Sequence, residues 1–180
     1  MAEVTIDGIR TIGIAIAIPD PWGSDLQESR ATYGDRQAWT IPTHITLLPP
    51  TQVPQERMAA VDAHLATTAA AGVRFDIELG GADTFRPVTP TVFLRVGQGA
   101  KDCSELERLI RSGPLRRRLT FPYHPHVTLA FDVADEVLNR AADEHRDFRL
   151  TFTATEFSRY ELGEDGIWLP ERDFPLPADE

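Results

Sequence analysis

Pro42-Thr43-His44-Ile45-Thr46-Leu47-Leu48-Pro49 and Pro125-His126-Val127-Thr128-Leu129-Ala130 are two versions of one phrase, His-x-Thr-aliphatic with proline alongside. Successive side chains of an extended strand point to opposite faces. His44 and Thr46 therefore share one face, with Ile45 and Leu47 on the other. His126 and Thr128 likewise oppose Val127 and Leu129. Each copy presents an imidazole and a hydroxyl on an aliphatic anchor, and the two copies use two of only five histidines in the 180 residues.

Around these strands the chain alternates strand-like and helical patterns. Thr11–Ile18 reads as a buried strand closed by Pro19-Asp20-Pro21, and Ser24–Ala38 as a helix with Ser24 at its N-cap. The first histidine strand spans Thr43 to about Leu48 and is expected to stop at Pro49-Pro50. Pro54–Ala71 reads as a helix ended by Gly72, and Val73–Leu79 as a half-buried strand. After Gly80-Gly81 and a short loop come a strand over Thr91–Val96 and a helix over Asp102–Arg111. The second histidine strand, His126 to Phe131, precedes a helix over Ala134–His145. Strands over Phe148–Phe157, Ser158–Leu162 and Ile167–Leu176 follow, the last two joined by the turn Gly163-Glu164-Asp165-Gly166. The pattern predicts an α+β fold, largely antiparallel, with helices outside. Residues 1–180 are expected to form one domain, either simple or built of two similar lobes.

Composition narrows the function. The apolar content of 42% suffices for a core, and the formal net charge is −10. An acidic chain does not offer the broad basic surface that long nucleic acid requires, although a small nucleotide or an RNA end held locally remains compatible. The single cysteine, Cys103, excludes an intramolecular disulfide. It lies beside Asp102 and Glu105, which disfavour a thiolate and hence thiol catalysis. No segment is long and apolar enough to span a bilayer, so no membrane partner is expected. Met1-Ala2-Glu3-Val4 shows no charged stretch leading into an apolar core, so a cytoplasmic protein is expected. No Gly-x-Gly-x-x-Gly or P-loop pattern occurs, so neither a dinucleotide cofactor nor ATP-driven ligation is expected.

Two histidines and two threonines suit phosphodiester chemistry. One imidazole deprotonates the nucleophile and the other protonates the leaving oxygen, which needs no metal. Hydroxyls beside them donate to the non-bridging oxygens, where charge accumulates. Two other readings stay open from the residues alone. One is a non-catalytic protein that binds nucleotides or RNA ends; the other is a metallohydrolase using His44, His124 and His126.

The two segments resemble the paired motifs of the 2H phosphoesterase superfamily, which includes the 2′-5′ RNA ligase-like proteins. Ile12–Ile18 followed by Pro19 resembles that family's first strand, so the likeness runs from Ile12 to Phe131. It implies a bilobal, pseudo-twofold fold whose histidine strands line a central cleft. It also implies metal-independent hydrolysis of a 2′,3′-cyclic phosphate or related nucleotide, without a cofactor; some members join or cleave 2′-5′ linkages. His44 and His126 become the general acid/base pair, and Thr46 and Thr128 the phosphate-orienting groups. The implied partner is a nucleotide or short RNA with a cyclic phosphate or 2′-5′ linkage; separately, the chain is expected to be a monomer. Many members carry Arg or Lys soon after the second motif, where this chain has Ala130-Phe131-Asp132.

Further residues are weighed by position. His124 shares the strand face of His126 if Pro125 leaves the strand regular, and reads either as a substrate contact or as a surface residue at the strand's start. Tyr123, Arg86 and Phe85 are candidate substrate contacts. Arg111 and Arg116-Arg117-Arg118 form a basic cluster that either draws in an RNA end or simply faces water. His64 and His145 lie in helices and are expected to be solvated.

Overall fold

A computed structural model describes residues 8–178; Met1–Val4, read above for a targeting signal, lie outside the described residues. The order is β1 (Ile9–Ala17), α1 (Trp22–Thr32), β2 (His44–Pro54), α2 (Met58–Ala71), β3 (Phe75–Thr84), β4 (Thr91–Val96), α3 (Ala100–Ile110), β5 (His126–Phe131), α4 (Asp135–Glu144), β6 (Arg149–Ala154), β7 (Glu156–Leu162) and β8 (Trp168–Pro175). Short 3₁₀ turns precede α2 and follow α3. The strands form two antiparallel sheets, ordered β2-β1-β7-β8 and β5-β4-β3-β6. The α+β expectation holds, and each histidine strand is the edge strand of its own sheet.

Strand alternation fixes which face is buried. Ile45, Leu47, Val127 and Leu129 are fully buried, whereas His44, Thr46, His126 and Thr128 are half-buried on the opposite face. Burying each aliphatic side chain contributes about 1.5–3 kcal/mol. A one-residue slip would drive both imidazoles into the core, so the register of both strands is strongly specified. The helices cross over: α1 packs on β5 and α3 on β2, while α4 covers β3, β4 and β5.

Several boundaries differ from the sequence reading. β2 does not stop at Pro49-Pro50 but runs on to Pro54. Among the described residues its only ladder partner is β1, and its pairing jumps from Leu48 opposite Ile14 to Thr51 opposite Ile12. The two prolines thus fall in a bulge on an edge strand, where a missing N–H costs little. Helix α1 begins at Trp22, before Ser24, and the Asp20 carboxylate accepts hydrogen bonds from the Ser24 amide (3.1 Å) and hydroxyl (2.7 Å). It ends at Thr32 rather than Ala38, because Gly34 turns the chain with φ +78°. β3 continues through Gly80-Gly81 to Thr84 instead of ending at Leu79, with a register shift between Leu79 and Ala82. The strand read over Phe148–Phe157 divides at Thr155 into β6 and the start of β7.

Candidate active site

The edge strands β2 and β5 lie against one another where the two sheets meet. Three ties hold them. The Tyr123 hydroxyl donates to the Thr46 carbonyl at 2.9 Å. Asp35, in the loop after α1, accepts the Phe131 amide at 2.9 Å at the far end of β5. Arg117, after α3, donates to the Pro50 carbonyl (3.1 Å) and the Thr51 hydroxyl (2.9 Å) on β2. The loop from each half therefore braces the histidine strand of the other.

The two imidazoles are held in the same way. His44 Nδ1 lies 2.7 Å from the Pro42 carbonyl, and His126 Nδ1 lies 2.7 Å from the His124 carbonyl. A carbonyl only accepts, so each Nδ1 carries the hydrogen and each Nε2 is left free for proton transfer. Loss of hydration pulls His44 down to about 4; the charges of Arg30 and His126 act in the same direction, against the Pro42 carbonyl. His126 is also lowered, chiefly by burial, with His124 adding to it and the His124 carbonyl opposing. Without an anion in the cleft both rings therefore favour the neutral form.

The hydroxyls of Thr46 and Thr128 make no hydrogen bond within the described residues, whereas the Thr43 hydroxyl is committed to the Gly23 carbonyl at 2.7 Å. The neighbours across each strand differ in kind. Small residues flank the first pair, with Ala17 opposite His44 and Ala15 opposite Thr46. Arg95 stands opposite His126, and Phe93 opposite Thr128. Phe85 stacks on Phe93 at 4.1 Å between centroids, and both present themselves edge-on to His126, at 5.0 and 5.3 Å.

β2, with His44 and Thr46, adjoins β5, with His126 and Thr128, closely enough for the charge of His126 to act on His44, and Phe85 stands against His126. Tyr123 is a strut rather than an exposed contact, and burial raises its phenol well above the usual range. Arg86 is committed to the Thr84 hydroxyl, Asp135 and Asn139, so the sequence reading of it as a substrate contact gives way to a brace between the end of β3 and α4. His124 is exposed; its ring packs edge-on to Phe85 and Phe93, and its carbonyl orients His126.

Among the described residues no three His, Cys, Asp or Glu side chains converge as a metal site, so His44, His124 and His126 do not form one. The basic cluster borders an open depression of about 700 Å³ beside α3, with Arg116 and Arg118 exposed and Arg111 paired to Glu107. His64 and His145 are half-buried rather than solvated, bonded to the carbonyls of Ile110 (3.0 Å) and Ala141 (3.1 Å). Cys103 is fully buried, and burial, followed by Asp102, pushes its thiol up to about 12.

Arg30, Phe93 and Arg95 escaped the sequence reading. Alternation within Thr91–Val96 places Phe93 and Arg95 on one face, but only the pairing of β4 with β5 sets them beside Thr128 and His126.

A family model described as the 2′-5′ RNA ligase superfamily matches residues 18–166. A Halalkalibacterium halodurans protein bearing the provisional name of phosphoesterase is 25% identical over 127 residues, 71% of this chain and 73% of its own length. A similarly named Oceanobacillus iheyensis protein is 27% identical over 121 residues, 67% and 70% of the two chains. Among solved structures, Escherichia coli LigT complexed with 3′-AMP superposes with a TM-score of 0.70 at 20% identity, covering 93% of this chain and 98% of LigT. The Thermus thermophilus protein TT0787 gives 0.63 at 18% identity, covering 94% and 100%. These two structural likenesses establish the fold.

Proposed function

This chain belongs to the 2′-5′ RNA ligase superfamily, that of the 2H phosphoesterases, and from that premise we propose that it is a metal-independent phosphodiesterase acting on 2′,3′-cyclic phosphates of nucleotides or short RNA ends. The reading treats residues 1–180 as one domain of two similar lobes, each supplying one imidazole and one hydroxyl. One observation carries it: two imidazoles with Nδ1 tied to a carbonyl and Nε2 free stand on adjoining edge strands, each two residues from an uncommitted threonine hydroxyl. Nucleotides as substrates accord with the complexes of LigT, which include 3′-AMP and ATP.

In the proposed reaction a water oxygen attacks phosphorus while one Nε2 takes its proton. The bond from phosphorus to the 2′ or 3′ oxygen breaks, and the other imidazole, protonated, donates its Nε2 proton to that leaving oxygen. The product is a nucleoside monophosphate, and solvent resets the two rings. Thr46 and Thr128 donate to the non-bridging oxygens as their charge grows. The incoming phosphate anion offsets the effect of burial and lets one ring hold its proton.

The test is turnover of nucleoside 2′,3′-cyclic phosphates and of oligonucleotides ending in a cyclic phosphate, with and without a chelator. The reading expects chelator-resistant release of the monophosphate, lost in both His44→Ala and His126→Ala. Saturable binding without turnover in the unaltered protein would instead mark a binding protein, and turnover abolished by the chelator a metallohydrolase.

A further inference from the structure

The face of the second sheet that carries His126 continues inward to a pair of arginines. Arg95, on β4, is the cross-strand partner of His126, so their side chains leave the same face. On the next strand β3 bulges at Gly80-Gly81, where Gly81 has φ +68°. Beyond it Arg149, on β6, pairs with Gly80.

Both arginine side chains lie across the bulge because no Cβ stands in their way. The point where a Gly81 side chain would begin is 2.7 Å from Arg95 Nη2 and 3.4 Å from Arg149 Nη1. Likewise, a Gly80 side chain would begin 3.2 Å from the Arg149 Cδ. Backbone carbonyls anchor the two guanidiniums: Arg95 Nε donates to Gly80 at 3.2 Å, and Arg149 Nη1 to Phe148 at 2.6 Å. Among the described residues the remaining donors of the two guanidiniums have no hydrogen-bond partner.

Among the described residues neither arginine forms an ion pair with a carboxylate. Two cations drawn together without a counter-charge repel one another. Here they do so in a chain with 28 acidic residues, with Glu78 and Asp83 on the same strand as the glycines. An anion placed between the two relieves that repulsion and meets forked donors suited to phosphate.

We infer that Arg95 and Arg149 form a second anion site, for a phosphate on the 5′ oxygen of the nucleoside whose cyclic phosphate lies between His44 and His126. The inference rests on the phosphodiesterase reading above. A cyclic phosphate already uses the 2′ and 3′ oxygens, so the 5′ oxygen is the one ribose position left for another phosphate. The arginines reach over β3, two strands in from β5, or about 10 Å at ordinary strand spacing; a ribose phosphorylated at both ends bridges such a gap. On the other side of the cleft Ala15 and Ala17 stand opposite Thr46 and His44 and carry no charge, and Arg30, whose charge reaches His44, is already paired with Asp35, so an anion is drawn along the second sheet.

The experiment compares kcat/KM for a nucleoside 2′,3′-cyclic phosphate with a free 5′-hydroxyl, its 5′-phosphate monoester, and a dinucleotide ending in the cyclic phosphate. The expected preference for the 5′-phosphorylated substrates is about tenfold or more, as charge-assisted hydrogen bonds give. The ratio between substrates is the readout, because a general loss of activity leaves it unmoved. It falls toward one in Arg95→Gln and in Arg149→Gln, and Arg95→Lys retains part of it. Preference for the dinucleotide over the monoester assigns the phosphate to an RNA end, and the reverse to a free nucleotide.

A ratio near one in the unaltered protein, or a preference surviving both substitutions, overturns the site. If no substrate turns over, the hydrolytic reading fails by itself, and calorimetric titration with a nucleoside 3′,5′-bisphosphate against the 3′-monophosphate decides the site. Tighter binding of the bisphosphate that Arg95→Gln abolishes upholds it; equal binding rejects it.

Discussion

β2 and β5 carry the same chemistry in different settings. Both begin with the same pattern of half-buried and buried residues over six positions, and both hold the imidazole through Nδ1 at 2.7 Å from the carbonyl two residues back. Their surroundings diverge. His44 stands beside small alanines and feels the charge of Arg30, whereas His126 is walled by Phe85 and Phe93 and paired across the ladder with Arg95. What the two halves share is the imidazole and hydroxyl to which the proposed reading assigns proton transfer at phosphorus. Where they differ, the second motif stands beside Phe85, Phe93 and Arg95, and the first beside Ala15 and Ala17; under the proposed reading that makes the second half the one that recognises the rest of a nucleotide.

The largest effects should come from the shared part. His44→Ala and His126→Ala should each lower kcat by about 10³-fold or more, since an acid and a base each contribute roughly 10²–10⁴ and neither replaces the other. The double variant should be scarcely worse than either single one, because the two act as a unit. Single-turnover rates test this, and one dispensable histidine would break the equivalence of the two strands.

The braces should be unequal. Arg30 and Asp35 form a buried pair at 2.6 Å, and Asp35 also holds the Phe131 amide. Asp35→Ala strands a buried guanidinium and should cost about 3–5 kcal/mol. Arg117→Ala, removing bonds from a more exposed side chain to neutral groups, should cost only about 1 kcal/mol. Urea unfolding of the two variants measures the contrast. Equal losses would mean that Arg30 is not held as the structure shows.

Thr46→Val and Thr128→Val come next, each expected to reduce kcat by about 10²-fold with little change in KM, as for a donor that acts mainly on transition-state charge. An effect confined to one threonine would show that only one hydroxyl faces the non-bridging oxygens.

Acid should separate the two histidines through stability. With His44 lowered to about 4 from 6.5, the unfolded chain takes up a proton that the folded chain refuses between those values. Stability is therefore full above pH 6.5 and falls as pH drops toward 4, by on the order of 2–3 kcal/mol from this group. His44→Gln should remove that part of the slope when urea midpoints are compared at pH 7, 5 and 4. An unchanged slope would mean that the ring is better hydrated than its surroundings imply.

The divide between legible and hidden features follows sequence distance. The orientation of His44, Thr46, His126 and Thr128 was readable because alternation is local, and the order of strands and helices followed from local patterns. Pro49-Pro50 misled, since whether a proline ends a strand depends on the strand being an edge, which is a property of the sheet. Ser24 and Gly81 were visible as residues, but their roles depended on Asp20 and on the arginines across the bulge. Tyr123, Arg86 and Arg117 carry substrate-like groups that the fold uses as struts, and nothing near them in the chain announces Thr46, Asp135 or Pro50 as partners.

Tyr123→Phe is the mildest test of how closely the two strands must be held. The hydroxyl donates to the Thr46 carbonyl within the first motif, while the ring belongs to the segment leading into the second. Removing only the oxygen keeps the packing and leaves one partly buried carbonyl without this donor, so the cost should be about 1 kcal/mol. If the strut merely stabilises, kcat is unchanged once the protein is folded. If it sets the spacing of the imidazoles, kcat falls severalfold while KM for a cyclic nucleotide holds, because small misplacement of reacting groups lowers rate more than affinity. The second outcome is expected, since the bond ends on the residue whose own hydroxyl is to face the phosphate. Tyr123→Phe at full kcat would show that the remaining contacts between β2 and β5 alone set the distance.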